Sequence, residues 1–354
     1  MNARVSLVLR FVFLALIVAT YSERSQADEV ADFYKSNPIS LIVGSPPGGG
    51  YDVYSRVLAR HMGRHVPGAP AIVVKNMPGV GGARAANAVY NLAPKDGATI
   101  VSMQNTLTID QFTSTDSVKF DMRRFEWLGS MNVYQCVCVF SKAVGPVTGK
   151  DVLTRKFILG GSGGGTSSII LIPTLLNHLA NAKFHVVKGY EGTNALFLAI
   201  ERGEAEGMCG VGWDSIRVQV ADRLKRGELT VVLDVGINQD PELKSLGVPF
   251  ALDLIPDSEE KRVLQVILST QLYGRPFAAP PGTPKERVDA LRQAFAKTME
   301  DPAFLQDAAK ANVQIQYASP EQVTEYINVP FNAPKRIQER ALIELKKAGW
   351  GGGS

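Results

Sequence analysis

A stretch that occurs in two versions decides the fold of this chain. Residues 41–52 read LIVGSPPGGGYD, and residues 157–167 read FILGGSGGGTS. In each version an apolar strand leads into a glycine-rich turn, and a helical pattern follows. Glycine lets the backbone approach a ligand closely, and a helix N-terminus adds about half a positive charge. The two stretches therefore predict two anion-binding turns, which would grip one carboxylate from both sides if they face the same cleft.

The first 27 residues predict a signal peptide. Arg4 and Arg10 precede an apolar run at residues 11–19, and Ser25-Gln26-Ala27 fits the small-x-small rule for cleavage. The apolar run is about half the roughly 20 residues that a membrane-spanning helix needs. We therefore expect cleavage near Ala27, export to the periplasm, and a mature protein that does not itself span the membrane.

Charge and length restrict the class of protein. The formal net charge is +4 for the whole chain and +2 without residues 1–27. No run of lysine and arginine is interleaved with aromatic residues, so nucleic-acid binding has no support. The remaining 327 residues exceed the size at which a single core usually stops growing. We therefore expect two lobes, each with its own core.

The three cysteines leave the disulfide state open. Cys136 and Cys138 alternate with valines, so both face one side of a strand. We favour two buried, unpaired side chains there, because a free cysteine behaves as a small hydrophobic residue. An oxidising compartment would also permit a bridge from Cys209 to either of them.

Strand and helix patterns alternate along the chain, which is typical of an α/β fold with mainly parallel strands. Two later helices are predicted to begin at Thr283 and Ser319, where a proline follows the cap and Glu or Gln completes a capping box. The main predicted strands are 39–43, 71–75, 99–103, 133–140, 157–159, 184–187 and 231–235, and the main predicted helices are 52–61, 84–92, 169–179 and 194–201.

Five motifs, taken together and in order, resemble the Bug family. Its members are the periplasmic solute receptors of tripartite tricarboxylate transporters. The motifs are Pro38-Ile39, Pro47–Asp52, Asn76–Gly82, Pro94–Gly97 and Ala279–Pro284.

The resemblance implies a two-lobed periplasmic binding protein of the Venus-flytrap type II class, with two crossing strands. Lobe 1 would comprise residues 28–137 and 271–350, lobe 2 residues 138–270, and residues 351–354 a flexible tail. Such a protein binds a small organic carboxylate, for example a di- or tricarboxylate or an aromatic acid, and delivers it to a membrane permease. It is expected to be a monomer with no cofactor, no metal and no catalytic residue.

The resemblance also implies the ligand-binding residues. Receptors of this family hold a carboxylate with two strand-turn-helix loops, through backbone N–H groups, small hydroxyls and bridging waters. Carried over by position, the first loop contributes Pro47, Gly48, Gly49, Tyr51 and Asp52, and the second contributes Ser162, Gly163, Gly164, Thr166 and Ser167. Tyr51 and Trp213 are bulky side chains near the expected cleft and favour an aromatic or elongated ligand. Tyr190 and Trp213 complete the set of implied ligand-binding residues.

Asp52 raises an electrostatic problem, because an acid beside an anion site repels the ligand. Two arrangements resolve the conflict. The carboxylate either caps backbone N–H groups or holds a bridging water.

Four other functions have partial matches or open possibilities in the sequence: a hydrolase, a nucleotide-binding protein, a metal-binding protein and a sensor. Residues 160–164 match the G-x-S-x-G pattern of a hydrolase nucleophile at Ser162, but no acid followed by a histidine comes after it. No phosphate-binding lysine motif is present, which disfavours nucleotides. His61 and His65 lie four residues apart, without an acid or cysteine at ligand spacing nearby, so a partly exposed pair is favoured over a metal site. A sensor partner of a membrane kinase stays open beside transport.

Overall fold

The structure is a computed structural model, and it describes residues 28–162 and 167–350. The predicted signal peptide, the turn at 163–166 and the predicted tail lie outside these residues. Within the described part of the chain, no helix is long and apolar enough to cross a membrane.

The strands are short and mostly buried. They are β1 (Ile39–Val43), β2 (Ile72–Asn76), β3 (Thr99–Ser102), β4 (Glu126–Ser130), β5 (Cys136–Ser141), β6 (Lys156–Ser162), β7 (Lys183–Tyr190), β8 (Gly207–Gly212), β9 (Leu229–Asp234) and β10 (Pro276–Ala279).

Helices connect the strands and cover both sheets. They are α1 (28–36), α2 (Gly50–Met62), α3 (Ala83–Asn91), α4 (Leu107–Phe112), α5 (Gly149–Thr154), α6 (Ser168–Leu179), α7 (Gly192–Glu201), α8 (Trp213–Gln219), α9 (Ala221–Lys225), α10 (Pro241–Ser245), α11 (Ser258–Leu268), α12 (Lys285–Glu300), α13 (Pro302–Lys310), α14 (Pro320–Asn332) and α15 (Lys335–Lys347).

The two sheets repeat one strand order, β2-β1-β3-β10-β4 and β7-β6-β8-β5-β9. β1 is parallel to β2 and β3, and β6 is parallel to β7 and β8. β10 and β5 are antiparallel to their neighbours. In each sheet the fourth position is therefore taken by a strand that arrives from the other half of the chain. This confirms the predicted α/β fold with two lobes and two crossing strands.

The register of the crossing strands fixes where the turns point. β5 begins with Cys136 opposite Gly212, the last residue of β8. Near the start of β10, Phe277 lies opposite Ser102, the last residue of β3. The carboxyl ends of the parallel strands in both sheets therefore lie beside the segments that join the lobes. The turns after β1, β6 and β8 consequently face the region between the lobes.

The sequence patterns predict some elements well and miss others. β1 is confirmed at residues 39–43, and α6 agrees with the predicted helix at 169–179 to within one residue. β8 is missed because its sequence, GMCGVG, has the composition of a turn. Packing explains one of these glycines: a Cβ at Gly210 would lie 2.2 Å from the carbonyl oxygen of Ser168. α6 can approach the sheet only where the side chain is absent.

One predicted helix cap is confirmed and the other is wrong. Ser319 caps α14, and it exchanges hydrogen bonds with Gln322 in a capping box. Thr283 caps no helix, because its hydroxyl donates instead to the carbonyl of Pro280 at 2.8 Å. α12 begins at Lys285, with Pro284 in the cap position.

The cysteines differ in part from the favoured interpretation. Cys138 and Cys209 lie opposite each other in β5 and β8 and form a disulfide, so the expectation that Cys138 is unpaired is wrong. Cys136 is buried and free, as expected. The pairing depends on which residues of two distant strands face each other, and the sequence alone does not show this register.

The C-terminal segment connects parts of the chain that are distant in sequence. α15 falls in lobe 1 of the predicted division, yet it packs against α11 and α6, which lie between β6 and β10 in the chain. Trp350 follows α15 and is fully buried. Its indole N–H donates to the Asp110 carboxylate of α4 at 2.9 Å. The lobe boundaries themselves stay a prediction.

Burial makes Asp110 sensitive to pH. The side chain is 4% exposed, and burial raises its pKa from the ordinary value to about 6, against the opposing hydrogen bond from Trp350. A raised carboxyl pKa means that the folded protein holds a proton which the unfolded chain releases near pH 4. Asp110 therefore lowers the free energy of unfolding as the pH rises from about 4 to 6.

We predict that Asp110→Asn removes this loss, since the amide keeps an acceptor for Trp350 but does not ionise. Relative to wild type, its free energy of unfolding should increase by up to about 3 kcal/mol between pH 4 and pH 7. Chemical denaturation at a series of pH values measures the difference, with the exposed Asp253→Asn as the control. A difference that does not change with pH would contradict the burial argument.

Candidate functional site

The first turn projects from the end of β1 toward the region between the lobes. Pro47 and Gly48 are exposed, and Gly49 is half-buried before α2 begins at Gly50. Gly48 has a φ of 78°, in the left-handed region that other residues adopt only with strain. The turn therefore lies at the surface, and its role as a carboxylate-binding loop stays a prediction.

Asp52 holds this turn in place. Its carboxylate accepts hydrogen bonds from the Gly48 N–H at 2.8 Å, the Arg56 Nε at 2.9 Å and the Asn76 amide at 2.9 Å. Burial alone would raise the pKa of Asp52, but these hydrogen bonds together hold it below its ordinary value. Of the two arrangements that the sequence left open, the carboxylate therefore adopts the one that satisfies a backbone N–H.

The N-terminus of α2 remains available to an anion. Val53 N–H donates to the carbonyl of Gly49, which closes the first turn of the helix. The N–H groups of Gly50, Tyr51 and Asp52 have no backbone acceptor among the described residues. Three donors and the positive end of the helix dipole thus coincide at one point.

A buried arginine lies directly against this helix start. A Cβ at Gly50 would be 3.0 Å from Nη2 of Arg275, so the guanidinium lies in close contact with the first residue of the helix. Arg275 is 2% exposed. Its Nη2 donates to the Asp214 carboxylate at 2.8 Å, and its Nη1 donates to the carbonyl of Gly274 at 3.1 Å. Asp214 lies on α8, and Arg275 comes directly before β10. This ion pair therefore joins the segment that enters the first sheet to a helix of the second.

Three tyrosine rings surround the guanidinium. Its central carbon lies 4.4 Å from the ring centroid of Tyr51, 5.0 Å from that of Tyr54 and 5.1 Å from that of Tyr134. Such contacts attract a cation to the ring face and displace water from it. Arg275 is thus held in an aromatic environment at the base of the region between the lobes.

The charge states in this cluster are well defined. Burial would lower the pKa of Arg275, but the Asp214 carboxylate and the neighbouring tyrosines raise it above its ordinary value. Burial raises the pKa of the phenols of Tyr51, Tyr54 and Tyr134. Arg275 is therefore a cation and the three phenols are neutral at physiological pH.

Hydrogen bonds tie the same tyrosines to the segments that join the lobes. The Tyr51 hydroxyl donates to Asn105 Oδ1 at 3.0 Å, and the Asn105 amide donates to the carbonyl of Thr270 at 2.7 Å. The Tyr54 hydroxyl accepts from the Asn132 amide at 2.9 Å. The position of α2 is thus coupled to the region where the chain crosses between the sheets.

The second turn is described only at its two ends. Ser162 ends β6 and is buried, and Ser167 precedes α6 without a recorded side-chain capping bond. The predictions for Gly163, Gly164 and Thr166 lie outside the described residues. Two neighbouring glycines have a packing role instead, since a Cβ at Gly160 would lie 2.4 Å from Leu196 and one at Gly161 would lie 2.8 Å from Val186.

Tyr190 and Trp213, the last two predicted ligand-binding residues, occupy different environments. Tyr190 ends β7 opposite Ser162 and is half-buried. The ring of Trp213 is 5% exposed in the core of the second lobe, and its indole N–H donates to Glu242 at 3.2 Å. The backbone of Trp213 is tied to the crossing segment, because its N–H donates to the carbonyl of Gln135 at 2.7 Å.

Three of the four histidines contact an aspartate or glutamate, and the fourth is placed by strand register. His61 contacts Asp307 of α13, and His65 contacts Asp301, the residue that caps this helix. His178 pairs with Glu344 of α15. His185 is placed by the strand register opposite Ile158, four residues before Ser162. The hydrolase interpretation thus gains no general base from these positions.

The sequence motifs do not include Arg275 and Asp214, the buried ion pair beside the start of α2. One sequence signal points to the first of them: Arg275 is the only charged residue between Arg262 and Lys285, in a segment that the sequence already identifies as the return to the first lobe. A lone charge in such a segment must be paired if it is buried. No local pattern identifies Asp214 as its partner.

Comparison with known proteins finds relatives that match this chain over almost its whole length. No family model matches it. A UPF0065 protein encoded in the gbd 5′ region of Cupriavidus necator is 24% identical over 344 residues, which cover 93% of this chain and 92% of that protein. A UPF0065 protein of Bordetella pertussis is also 24% identical, over 92% of this chain and 94% of that protein.

Three solved structures have the same fold. A TctC solute-binding protein from Polaromonas matches with a TM-score of 0.64 and 20% identity, over 89% of this chain and 99% of the other. The periplasmic binding protein BugD matches with a TM-score of 0.62 and 19% identity, over 88% and 98%. A Rhodopseudomonas palustris protein with adipate matches with a TM-score of 0.64 and 18% identity, over 88% and 97%.

The strand order and the solved structures show the fold of one class of proteins, the two-lobed periplasmic binding proteins. Within that class the comparisons confirm the predicted resemblance to the Bug family.

We predict that Asp52→Ala loosens the first turn. The variant leaves the Gly48 N–H and the Asn76 amide without their acceptor, which should lower the free energy of unfolding by about 1–3 kcal/mol. It should also weaken the binding of an anion at the start of α2. Arg56→Ala is the matched control, because it removes only a partner that is 46% exposed, with an expected cost below about 1 kcal/mol. Urea denaturation measures both, and equal small losses would show that Asp52 does not hold the turn.

Proposed function

We propose that the chain is an extracytoplasmic solute receptor that captures a small organic carboxylate between its two lobes. The observation that supports this most is the start of α2, where three N–H groups, without a backbone acceptor in the part of the chain that the structure describes, lie beside a buried cation. Both features favour a negative charge at the same point. A carboxylate has two acceptor oxygens and matches this set of donors.

In this proposal the second turn contributes from the opposite lobe. Backbone N–H groups at Gly163 and Gly164 and the hydroxyls of Ser162, Thr166 and Ser167 would contact the other side of the carboxylate. Support comes from the strand order, which brings the carboxyl ends of β1 and β6 to the same region.

The rest of the ligand would extend from the shared carboxylate toward the opening of the cleft. Tyr190, half-buried at the end of β7, is the proposed side wall there. The ring of Trp213 is already packed in a core, so we assign it to supporting the crossing segment. Pro47, Gly48 and Gly49 would form the wall on the first lobe.

Binding would couple to closure of the lobes. Donors on two lobes converge on one ligand only when the lobes are close, so the ligand stabilises the closed state by the contacts that the open state lacks. The proposal includes no covalent step. The closed receptor, exported by its signal peptide and acting as a monomer, would then deliver the carboxylate to a tripartite membrane permease.

A thermal-shift panel tests carboxylate binding. The protein without residues 1–27 is mixed with malate, succinate, adipate, citrate or benzoate, and with sugars, amino acids and nucleotides as controls. A ligand at 100 times its Kd stabilises the fold by about 2.7 kcal/mol, a shift of a few degrees for a chain of this size. A shift confined to one class of carboxylate supports the proposal, whereas shifts only with the control compounds would refute it.

Uptake measurements separate transport from sensing. Deletion of the gene should abolish uptake of the carboxylate that binds, and the Asp52→Ala variant should restore uptake only in part. If deletion leaves uptake intact and abolishes only induction of the uptake genes, the receptor serves a sensor instead.

A further inference from the structure

Arg275 has more hydrogen-bond donors than the protein satisfies. A guanidinium carries five N–H donors and no acceptor. Within the described residues its recorded acceptors are the Asp214 carboxylate and the carbonyl of Gly274, and its Nε has no partner. A cation that is 2% exposed and incompletely paired is costly. A role in structure alone does not require this incomplete pairing.

The unsatisfied cation lies at the place where the proposed ligand would bind. A Cβ at Gly50, the first residue of α2, would lie only 3.0 Å from Nη2. Gly50 and Tyr51 are the first two residues of α2, so their N–H groups lie at this end of the helix. An anion that accepts from these amides is therefore within the field of the guanidinium.

The surroundings make that field strong. The rings of Tyr51, Tyr54 and Tyr134 line the guanidinium at 4.4–5.1 Å and are uncharged. In such an environment a charge pair interacts more strongly than it does in water. Asp214 is the one carboxylate in contact with Arg275 among the described residues, and its other oxygen accepts from the Ser215 N–H at 2.7 Å.

We propose that Arg275 is the residue that makes this receptor specific for an ionised carboxylate. Asp214 neutralises the guanidinium in the absence of ligand, and the carboxylate of the ligand shares the guanidinium with Asp214 when it binds to the amides of α2. The preference for a carboxylate over its uncharged amide then comes from Arg275 more than from the backbone donors. This inference rests on the proposed function, because it specifies the ligand charge that the same cleft selects.

The two members of the ion pair should respond in opposite directions. Arg275→Gln removes the cation that attracts the ligand, so carboxylate binding should weaken by about 100-fold, as for a lost charged hydrogen bond. Asp214→Asn removes the competing anion, so carboxylate binding should tighten. A purely structural ion pair predicts the same direction for both, because either variant breaks the bridge.

Calorimetric titration with acid and amide pairs measures the effect. The probes are succinate with succinamide, adipate with adipamide, and benzoate with benzamide. Wild type should prefer the acid by about 100-fold or more, and Arg275→Gln should reduce that ratio to below about 10-fold by weakening the acid alone. Arg226→Gln is the control, because it removes one exposed cation of the second lobe that pairs with Glu228. It should leave the ratio unchanged.

Each outcome decides a different question. If wild type binds none of the acids, the proposed function and this inference both fail. If wild type prefers an acid and Arg275→Gln keeps the same ratio, only this inference fails. Should Arg275→Gln not fold, Asp214→Asn decides: a higher ratio of acid to amide affinity supports the assignment, and a lower or unchanged ratio overturns it.

Discussion

The ion pair between Arg275 and Asp214 is the interaction on which the centre of this molecule depends. It connects the segment that returns to the first sheet with a helix of the second sheet, over 61 residues of sequence. Both groups are almost completely buried, so neither is stable there alone. The start of α2 lies against the same guanidinium, since a Cβ at Gly50 would be only 3.0 Å from Nη2.

The strand order explains why so many polar groups meet at this point. Each sheet receives one antiparallel strand from the other lobe. That strand starts beside the carboxyl end of the neighbouring strand, β3 in the first sheet and β8 in the second. Helix N-termini follow the parallel strands, so positive dipole ends accumulate beside the crossing segments. Asp52 and Asp214 place two carboxylates in this region, and each is held by hydrogen bonds to specific donors. The first three N–H groups of α2 have no backbone acceptor among the described residues.

Local sequence patterns predicted the parts of the structure that local physics determines. The apolar run and the glycines gave β1 and the turn before α2, and the serine cap of α14 was also correct. The patterns failed where packing or register decides the outcome. Glycines in β8 look like a turn until α6 is packed against them, and the bond between Cys138 and Cys209 depends on strand register. The environment of Arg275 could not be predicted, because its partners are distant in sequence.

The central claim is that a carboxylate binds to the N–H groups at the start of α2. The most direct test is amide NMR of the isotope-labelled protein, titrated with the acid that gives the largest thermal shift. A hydrogen bond to a carboxylate should move the Gly50 and Tyr51 amide proton signals downfield. The Gly48 signal should stay nearly unchanged, because its N–H already donates to Asp52 at 2.8 Å. Saturating binding without movement of the Gly50 and Tyr51 signals would place the ligand elsewhere and contradict the account.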